Sequence, residues 1–241
     1  MTSDRCVRSA MLLGDTAMRR LAAARVLVVG VGGVGSWCAE ALVRTGLGHI
    51  ALMDDDRVVP SNINRQCPAT AATIGRPKVE AMTERLKAIS PECEVEERFE
   101  RFERFEGLEG FDAIVDAIDS VACKAELILG ATAAGVPLVS SMGAALRANP
   151  TKVCVTSFEK VVGDGLARAL RHRFKSINRF PASRFPCVWS TEPAISTPHP
   201  PSTIHHPSPL PKGSLMQVTA TFGMCLAGET IKAIITKGGK K

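Results

Sequence analysis

The 241-residue chain contains eight cysteines, Cys6, Cys38, Cys67, Cys93, Cys123, Cys154, Cys187 and Cys225, but no Cys-x-x-Cys pair. That absence argues against a zinc ribbon, a thioredoxin motif and a dense disulfide framework. Cysteines scattered in this way read as reduced thiols of a cytoplasmic protein. No signal peptide is expected either, since polar residues precede the first strand expected near Arg25. No long apolar run is unbroken: Leu215 to Ile235 is interrupted by Gln217, Glu229 and Lys232. A buried helix is expected there, with membrane association through it as the minor alternative. Acidic excess is lacking too. The net charge is +6 and the pI about 9.0, a balance that suits polyanionic partners, above all nucleic acid. What is present is enough apolar residue, 45%, to bury a real core in one α/β domain with a modest appendage.

Along the chain, Arg25–Gly30 is a short Val-rich run that reads as a buried parallel strand. A helix over 36–45 follows, then a strand over 49–54. Pro77 opens another helix, with Val79, Met82, Leu86 and Ile89 at helical spacing. Strands are expected at 94–99, 111–116 and 136–140, with a helix over 121–134. This alternation predicts a Rossmann-like, doubly wound α/β fold with a mostly parallel sheet. The second part is less regular. It offers a strand over 152–157, a helix from an Asp164 cap to about Lys175, a short apolar segment at 187–190 and a closing helix over 219–235. These are antiparallel C-terminal additions to the sheet. Pro193–Pro211 holds seven prolines and no periodicity, so 193–212 reads as a Pro-rich loop or disordered insertion. Residues 98–106 repeat Arg-Phe-Glu three times. Period three fits neither a strand nor a stable helix face, and it suggests no function.

Gly30-Val31-Gly32-Gly33-Val34-Gly35 matches G-x-G-x-x-G between a strand and a helix. Such glycines let the backbone approach a phosphate, and the helix N-terminus points N–H groups at it. Asp54 ends the second strand, where a carboxylate can accept hydrogen bonds from ribose hydroxyls. The turn alone does not separate a dinucleotide from ATP. Later residues do. Asn62, Asn64, Arg65 and Lys78 add polar and cationic groups of the kind a triphosphate requires. Asp116 and Asp119, with Ser120, lie at the carboxyl end of the 111–116 strand, the binding edge of an open α/β sheet. An acid there can hold Mg²⁺ through one or two contacts. Each residue also has a plain alternative: Lys78 and Arg65 as surface cations, Asp119 as a helix cap.

The ordered set VGVGGVGS, Asp54-x-Asp56, SNxNRQ (Ser61 to Gln66), GRPKVEAM and DAIDS resembles the ubiquitin-activating-enzyme-like superfamily, the ThiF/MoeB adenylating type. Within it, the chain is most similar to the tRNA threonylcarbamoyladenosine dehydratases. Arg5-x-x-Arg8, Leu13-Gly14, Pro150-Thr151, CVWSTE (187–192) and GSLMQVTATFG (213–223) carry that likeness. It covers nearly all of 1–241 as a single ATP-binding domain, apart from the Pro-rich stretch. Gly143-Ala144-Ala145 and Asn149-Pro150 depart from the family's more glycine-rich turn and Asp-Pro.

The resemblance implies that Gly30, Gly32, Gly33, Gly35, Asp54, Asn62, Asn64, Arg65, Lys78, Asp119 and Ser120 hold Mg-ATP. It makes Asp119 the metal-linked acid, with Asp116 as the alternative, and leaves room for a monovalent cation. Arg8 resembles an arginine that reaches the partner subunit's site, which implies a homodimer. Asp119, Arg8 and Arg65 are then the catalytic set. The implied reaction is ATP-dependent dehydration of threonylcarbamoyladenosine in tRNA through an acyl-adenylate. The alternative is adenylation of a small sulfur-carrier or ubiquitin-like protein, with a sulfur-transfer protein as partner. Cys187 reads as a packing cysteine more than a thioester site. Arg168, Arg171 and Lys175 share one helix face and are the candidate nucleic-acid residues, joined by Arg179, Arg184 and the tail lysines Lys237, Lys240 and Lys241. The same face could equally be a solvated basic helix. His199, His205 and His206 lack a fixed set of companion ligands.

Overall fold

A computed structural model describes residues 4–196 and 212–236. Most of the Pro-rich stretch, with its three histidines, lies outside the described residues, as do Lys237, Lys240 and Lys241. Seven strands form one sheet: β1 (Arg25–Val29), β2 (His49–Met53), β3 (Glu94–Arg98), β4 (Ala113–Asp116), β5 (Leu138–Ser141), β6 (Val153–Ser157) and β7 (Pro186–Ser190). Their order is β3-β2-β1-β4-β5-β7-β6. All pairs are parallel except β6 with β7. The doubly wound arrangement expected from the alternation of elements is therefore present, with the antiparallel addition at its C-terminal edge.

The helices are α1 (Val7–Leu13), α2 (Asp15–Ala23), α3 (Gly35–Thr45), α4 (Lys78–Ile89), α5 (Val121–Ala133), α6 (Gly165–Ser176) and α7 (Met216–Thr236). Alternate residues of the central strands face opposite ways, so two cores form. Val26, Val28, Ile50, Leu52 and Val115 meet α2, α3, α4 and α7. Leu27, Val29, Ala51, Met53 and Ile114 meet α5 and α6. Helix α7 is the one described helix long and apolar enough to cross a membrane. Here it lies along α3, with Val218, Phe222, Leu226 and Ile234 buried. A Cβ on Gly223 would stand 2.6 Å from the Val34 carbonyl oxygen, so the two helices touch at backbone distance.

The Arg-Phe-Glu repeat gains a structural account. No helix links β3 to β4. Instead the repeat crosses as irregular chain, with Phe102 buried and the Phe105 ring side against Gly130 of α5. Its period of three suits a strap that turns an aromatic inward at intervals. The paired helices α1 and α2 were not anticipated. Arg5, just ahead of α1, donates to the Val43 carbonyl, Ser90 Oγ and Glu92, and so ties the N-terminus to α3 and the end of α4.

Candidate nucleotide-binding site

The glycine turn leaves β1 at the carboxyl edge of the sheet. Gly30 has φ +92° and a Cβ there would lie 2.7 Å from the Ala117 carbonyl oxygen, so only glycine fits. Gly35 opens α3 so close to the turn that a Cβ would overlap the Gly30 oxygen at 1.8 Å. Gly33 is backed by Arg65 Cγ and Thr219, with a built Cβ meeting them at 3.3 and 3.4 Å. Gly32 is different. The nearest atom to a Cβ there is Gln66 Nε2 at 3.9 Å, so its outer side is open. Ser36 Oγ donates to the Gly32 carbonyl and accepts from Cys67 N, which fixes the SNINRQ loop behind the turn. Trp37 Nε1 donates to the Arg65 carbonyl at 2.9 Å.

Asp54 Oδ2 accepts from Val31 N at 2.6 Å and Oδ1 from Asp56 N at 2.9 Å. Burial raises its pKa, against the pull of Lys78 and of both amides. Each oxygen keeps a second lone pair, as ribose recognition needs. Lys78 is almost fully buried. Its Nζ lies 2.5 Å from Asp56 Oδ2 and 3.7 Å from Asp54 Oδ1, so it pairs with two acids at the carboxyl edge. Arg65 has no carboxylate within ion-pair distance among the described residues. Its Nη1 donates to the Ser61 carbonyl and Asn64 Oδ1, and burial lowers its pKa. Asn64 Nδ2 donates to the Ser214 carbonyl, and Asn62 Oδ1 accepts from Val59 N. Both asparagines shape the loop.

Asp116 is wholly buried and spoken for. Oδ2 takes Lys124 Nζ at 2.9 Å and Ser140 Oγ at 2.6 Å, and Oδ1 takes Ile118 N at 3.2 Å. It anchors the 117–120 loop, and Lys124 also donates to the Ile118 carbonyl. The alternative of Asp116 as metal acid loses its physical basis, because a cation already occupies it. Asp119 stands exposed on the loop so anchored, with no hydrogen bond or ion pair among the described residues. Ser120 caps α5 through its backbone without a side-chain bond. Sequence reasoning missed Lys124, whose place in the first turn of α5 carries no motif, and the orphan at Gln66. Gln66 Oε1 is buried without a partner, beside the open Gly32. An unpartnered buried acceptor, an open glycine and an arginine free of carboxylates together fit a nucleotide's phosphates and hydroxyls.

The sequence pattern of the ThiF family matches residues 6–241. The chain belongs to the ThiF family. It is 37% identical to the tRNA threonylcarbamoyladenosine dehydratase of Escherichia coli (strain K12), over 97% of this chain and 94% of that protein. Identity to the Haemophilus influenzae enzyme of the same name is 33%, over 91% of this chain and 89% of the relative. The crystal structure of the E. coli enzyme in complex with ATP superposes with a TM-score of 0.86 at 36% identity, covering 99% of this chain and 98% of that one. In this ThiF-family chain the eight cysteines are all free. Cys187 is wholly buried in β7, and burial pushes its thiol far up, the setting of a packing sulfur rather than a nucleophile.

Three further expectations concern surfaces. Arg8 lies exposed on α1 without a partner among the described residues, and well away in sequence from the other site groups. Arg168 and Lys175 are exposed on α6 and unpaired among the described residues. Arg171, between them, is committed: Nη2 donates to the Phe158 and Val161 carbonyls, and its guanidinium lies 4.9 Å from the Phe158 ring centre.

Proposed function

We propose that the chain catalyses the ATP-dependent dehydration of threonylcarbamoyladenosine in tRNA, in the cytoplasm and as a homodimer. ATP supplies activation, by adenylating the substrate carboxylate with release of pyrophosphate so that an atom of the same modification can displace AMP and close a ring. The protein's part is to hold and to neutralise. The backbone N–H groups of the glycine turn and the start of α3 face the phosphates. Arg65, lacking any carboxylate, is the cation left for their developing charge. Lys78 sets Asp54 and Asp56 in place for the ribose side. Asp119, unpartnered on its anchored loop, is the residue that would hold Mg²⁺; the chemistry of the site leaves room for a monovalent cation beside it. Arg8 would come from the second subunit, and its helix also exposes Val7, Met11 and Leu12, the last two by more than 80%, as an apolar contact for that subunit.

The observation that carries the adenylating reading is the open glycine turn with a carboxylate-free arginine beside it. The choice of tRNA rests on full-length similarity to the dehydratases and on the exposed cations of α6. A sulfur-carrier protein as substrate gains nothing from these observations. The test is incubation of the folded protein with ATP and threonylcarbamoylated tRNA, followed by mass spectrometry of the nucleosides. Loss of one water from the modified nucleoside is expected. An unchanged nucleoside overturns the proposal.

A further inference from the structure

On the far edge of the sheet from the nucleotide crevice lies a second concave site. Phe158 follows β6 and Phe185 precedes β7, and these strands pair with Ser157 opposite Pro186. Because β7 runs parallel to β5, this end of the pair is the amino edge, whereas the glycine turn leaves β1 at the carboxyl edge. Five residues of strand separate the two edges, roughly 16 Å. The cavity there has a volume of about 480 Å³. Its floor is a prebuilt aromatic cluster: Phe158 stacks on Phe185 at 5.3 Å and meets Phe174 edge-on at 6.1 Å, all three buried.

One wall is Phe180, 60% exposed and without a ring or cation partner among the described residues. Its position is not slack. Asn178 sits at φ +51°, Arg179 N donates to the Phe174 carbonyl, and the Arg179 guanidinium pairs with Glu126 at 3.0 Å. Two residues on, Ala182 N donates to Thr132 Oγ1. An aromatic is thus held out in solvent by bonds on both sides of it. Around it the charge is mostly positive. Lys175 and Arg184 line the same cavity. A neighbouring groove of about 370 Å³ shares Lys175 and adds Arg168 and His172. Of the acids, Glu159 lies 3.8 Å from the highly exposed Arg184, and Asp164 is spent on the Ala167 and Gly143 amides.

We propose that this cavity takes an unstacked nucleobase of the tRNA, stacked on Phe180, while Arg168, Lys175 and Arg184 track the flanking phosphates. The inference rests on the tRNA reading above and extends it. Planar rings over a basic rim are what sequence-tolerant binding of single-stranded RNA uses. A protein partner would call for a broader apolar patch, yet the cavity around Phe180 is also lined by Lys175, Ser183 and Arg184. Since the cavity lies a sheet's width from the nucleotide crevice, the base it takes is not the one being modified. It is another unpaired base of the same tRNA, and the groove past Arg168 to Asp164, which bonds Gly143 N just after β5, leads from it back to the carboxyl edge. The contact should therefore form with tRNA modified or not, and with the anticodon stem-loop as well as with the whole tRNA.

The experiment compares wild type with Phe180→Ala and Phe180→Trp, using unmodified full-length tRNA and an isolated anticodon stem-loop as probes. Phe180→Ala should weaken binding of both probes about tenfold, leave ATP binding as in wild type, and melt at the same temperature. Phe180→Trp should keep the affinity, and the introduced indole should be quenched when tRNA is added. An alanine variant as tight as wild type overturns the inference. So does a loss of ATP binding equal to that of tRNA, which would place the effect in the nucleotide crevice. An unquenched indole would give the cavity to a protein segment instead, and overturns it too. A wild type that dehydrates modified tRNA during these failures keeps the proposed function standing. A wild type that neither binds nor dehydrates tRNA removes both.

Discussion

The two halves of the molecule treat charge in opposite ways. In the nucleotide half, ion pairs are set in advance around a buried member: Lys78 with Asp54 and Asp56, Lys124 with Asp116, and Glu40 with Arg85. In the half built on β6, β7 and α6, Arg168, Arg173 and Lys175 stand exposed and form no ion pair among the described residues. The first arrangement fixes geometry around a small ligand. It costs desolvation, which only complete pairing offsets. The second stores no such strain and suits a large polyanion that supplies the countercharge itself. Stability should therefore be sensitive to loss of Lys124 or Glu40 and indifferent to loss of Arg168, Arg173 or Lys175.

Lys124→Met gives the largest expected break. Both members of the Lys124–Asp116 pair are fully buried, at 0% side-chain exposure. Removing the ammonium leaves an uncompensated carboxylate next to Ser140, a loss of about 3–5 kcal/mol. Denaturant melts should show it, and adding Asp116→Asn should recover part. A Lys124→Met protein as stable as wild type would mean that the pairing in this half is not structural.

That pair also marks where the sequence stops being readable. The strand–glycine–helix unit was legible because backbone geometry demands glycine at Gly30 and Gly35, and such demands leave a motif. The closing helix was legible from its apolar content. Lys124 was not, because a lysine in the first turn of a helix says nothing of a carboxylate eight residues earlier across the intervening loop. Arg171 misled in the opposite sense. It shares the exposed face of Arg168 and Lys175 by spacing, yet the turn at Phe158–Lys160 folds over and takes its guanidinium. Lys78 lay at the right place for a phosphate, and spacing did not show that two acids from the preceding loop pair with it. Spacing reports which face a residue occupies. It does not report which groups come to meet it from elsewhere in the chain.

Asp119→Asn sharpens the comparison on the side of activity. Asp119 is the one carboxylate of the 116–119 pair that nothing holds. Its replacement should leave the melting temperature within about 1 °C of wild type, as for other exposed residues without partners. Turnover at saturating ATP should fall by roughly 100-fold, the scale on which charge stabilisation at a polyphosphate is lost. Unchanged turnover would return Asp119 to the role of a loop residue and leave the metal without its acid.

The smallest effect is a pH dependence, and it belongs to the nucleotide half. Glu40 on α3 is buried, and burial by itself would raise its pKa. Hydrogen bonds from Arg85, Cys67 and Arg44 outweigh that and bring it down to about 2. The same contact pushes the Cys67 thiol up to about 12, after burial as the larger cause. A carboxyl whose folded pKa lies below its unfolded value of 4.5 stabilises the fold above that value. The contribution fades as pH falls from about 4.5 towards 2. Screening at Arg85, 42% exposed, trims it to about 2 kcal/mol. Glu40→Gln should therefore melt below wild type at pH 7, and the gap should narrow as the pH drops through that window. Since Glu40 joins α3 to α4 behind the glycine turn, the same variant should weaken ATP binding at neutral pH while tRNA binding by the α6 face is kept. A gap that stays constant with pH would show that Glu40 is not ionised in the fold. A loss of tRNA binding equal to that of ATP would erase the division between the halves.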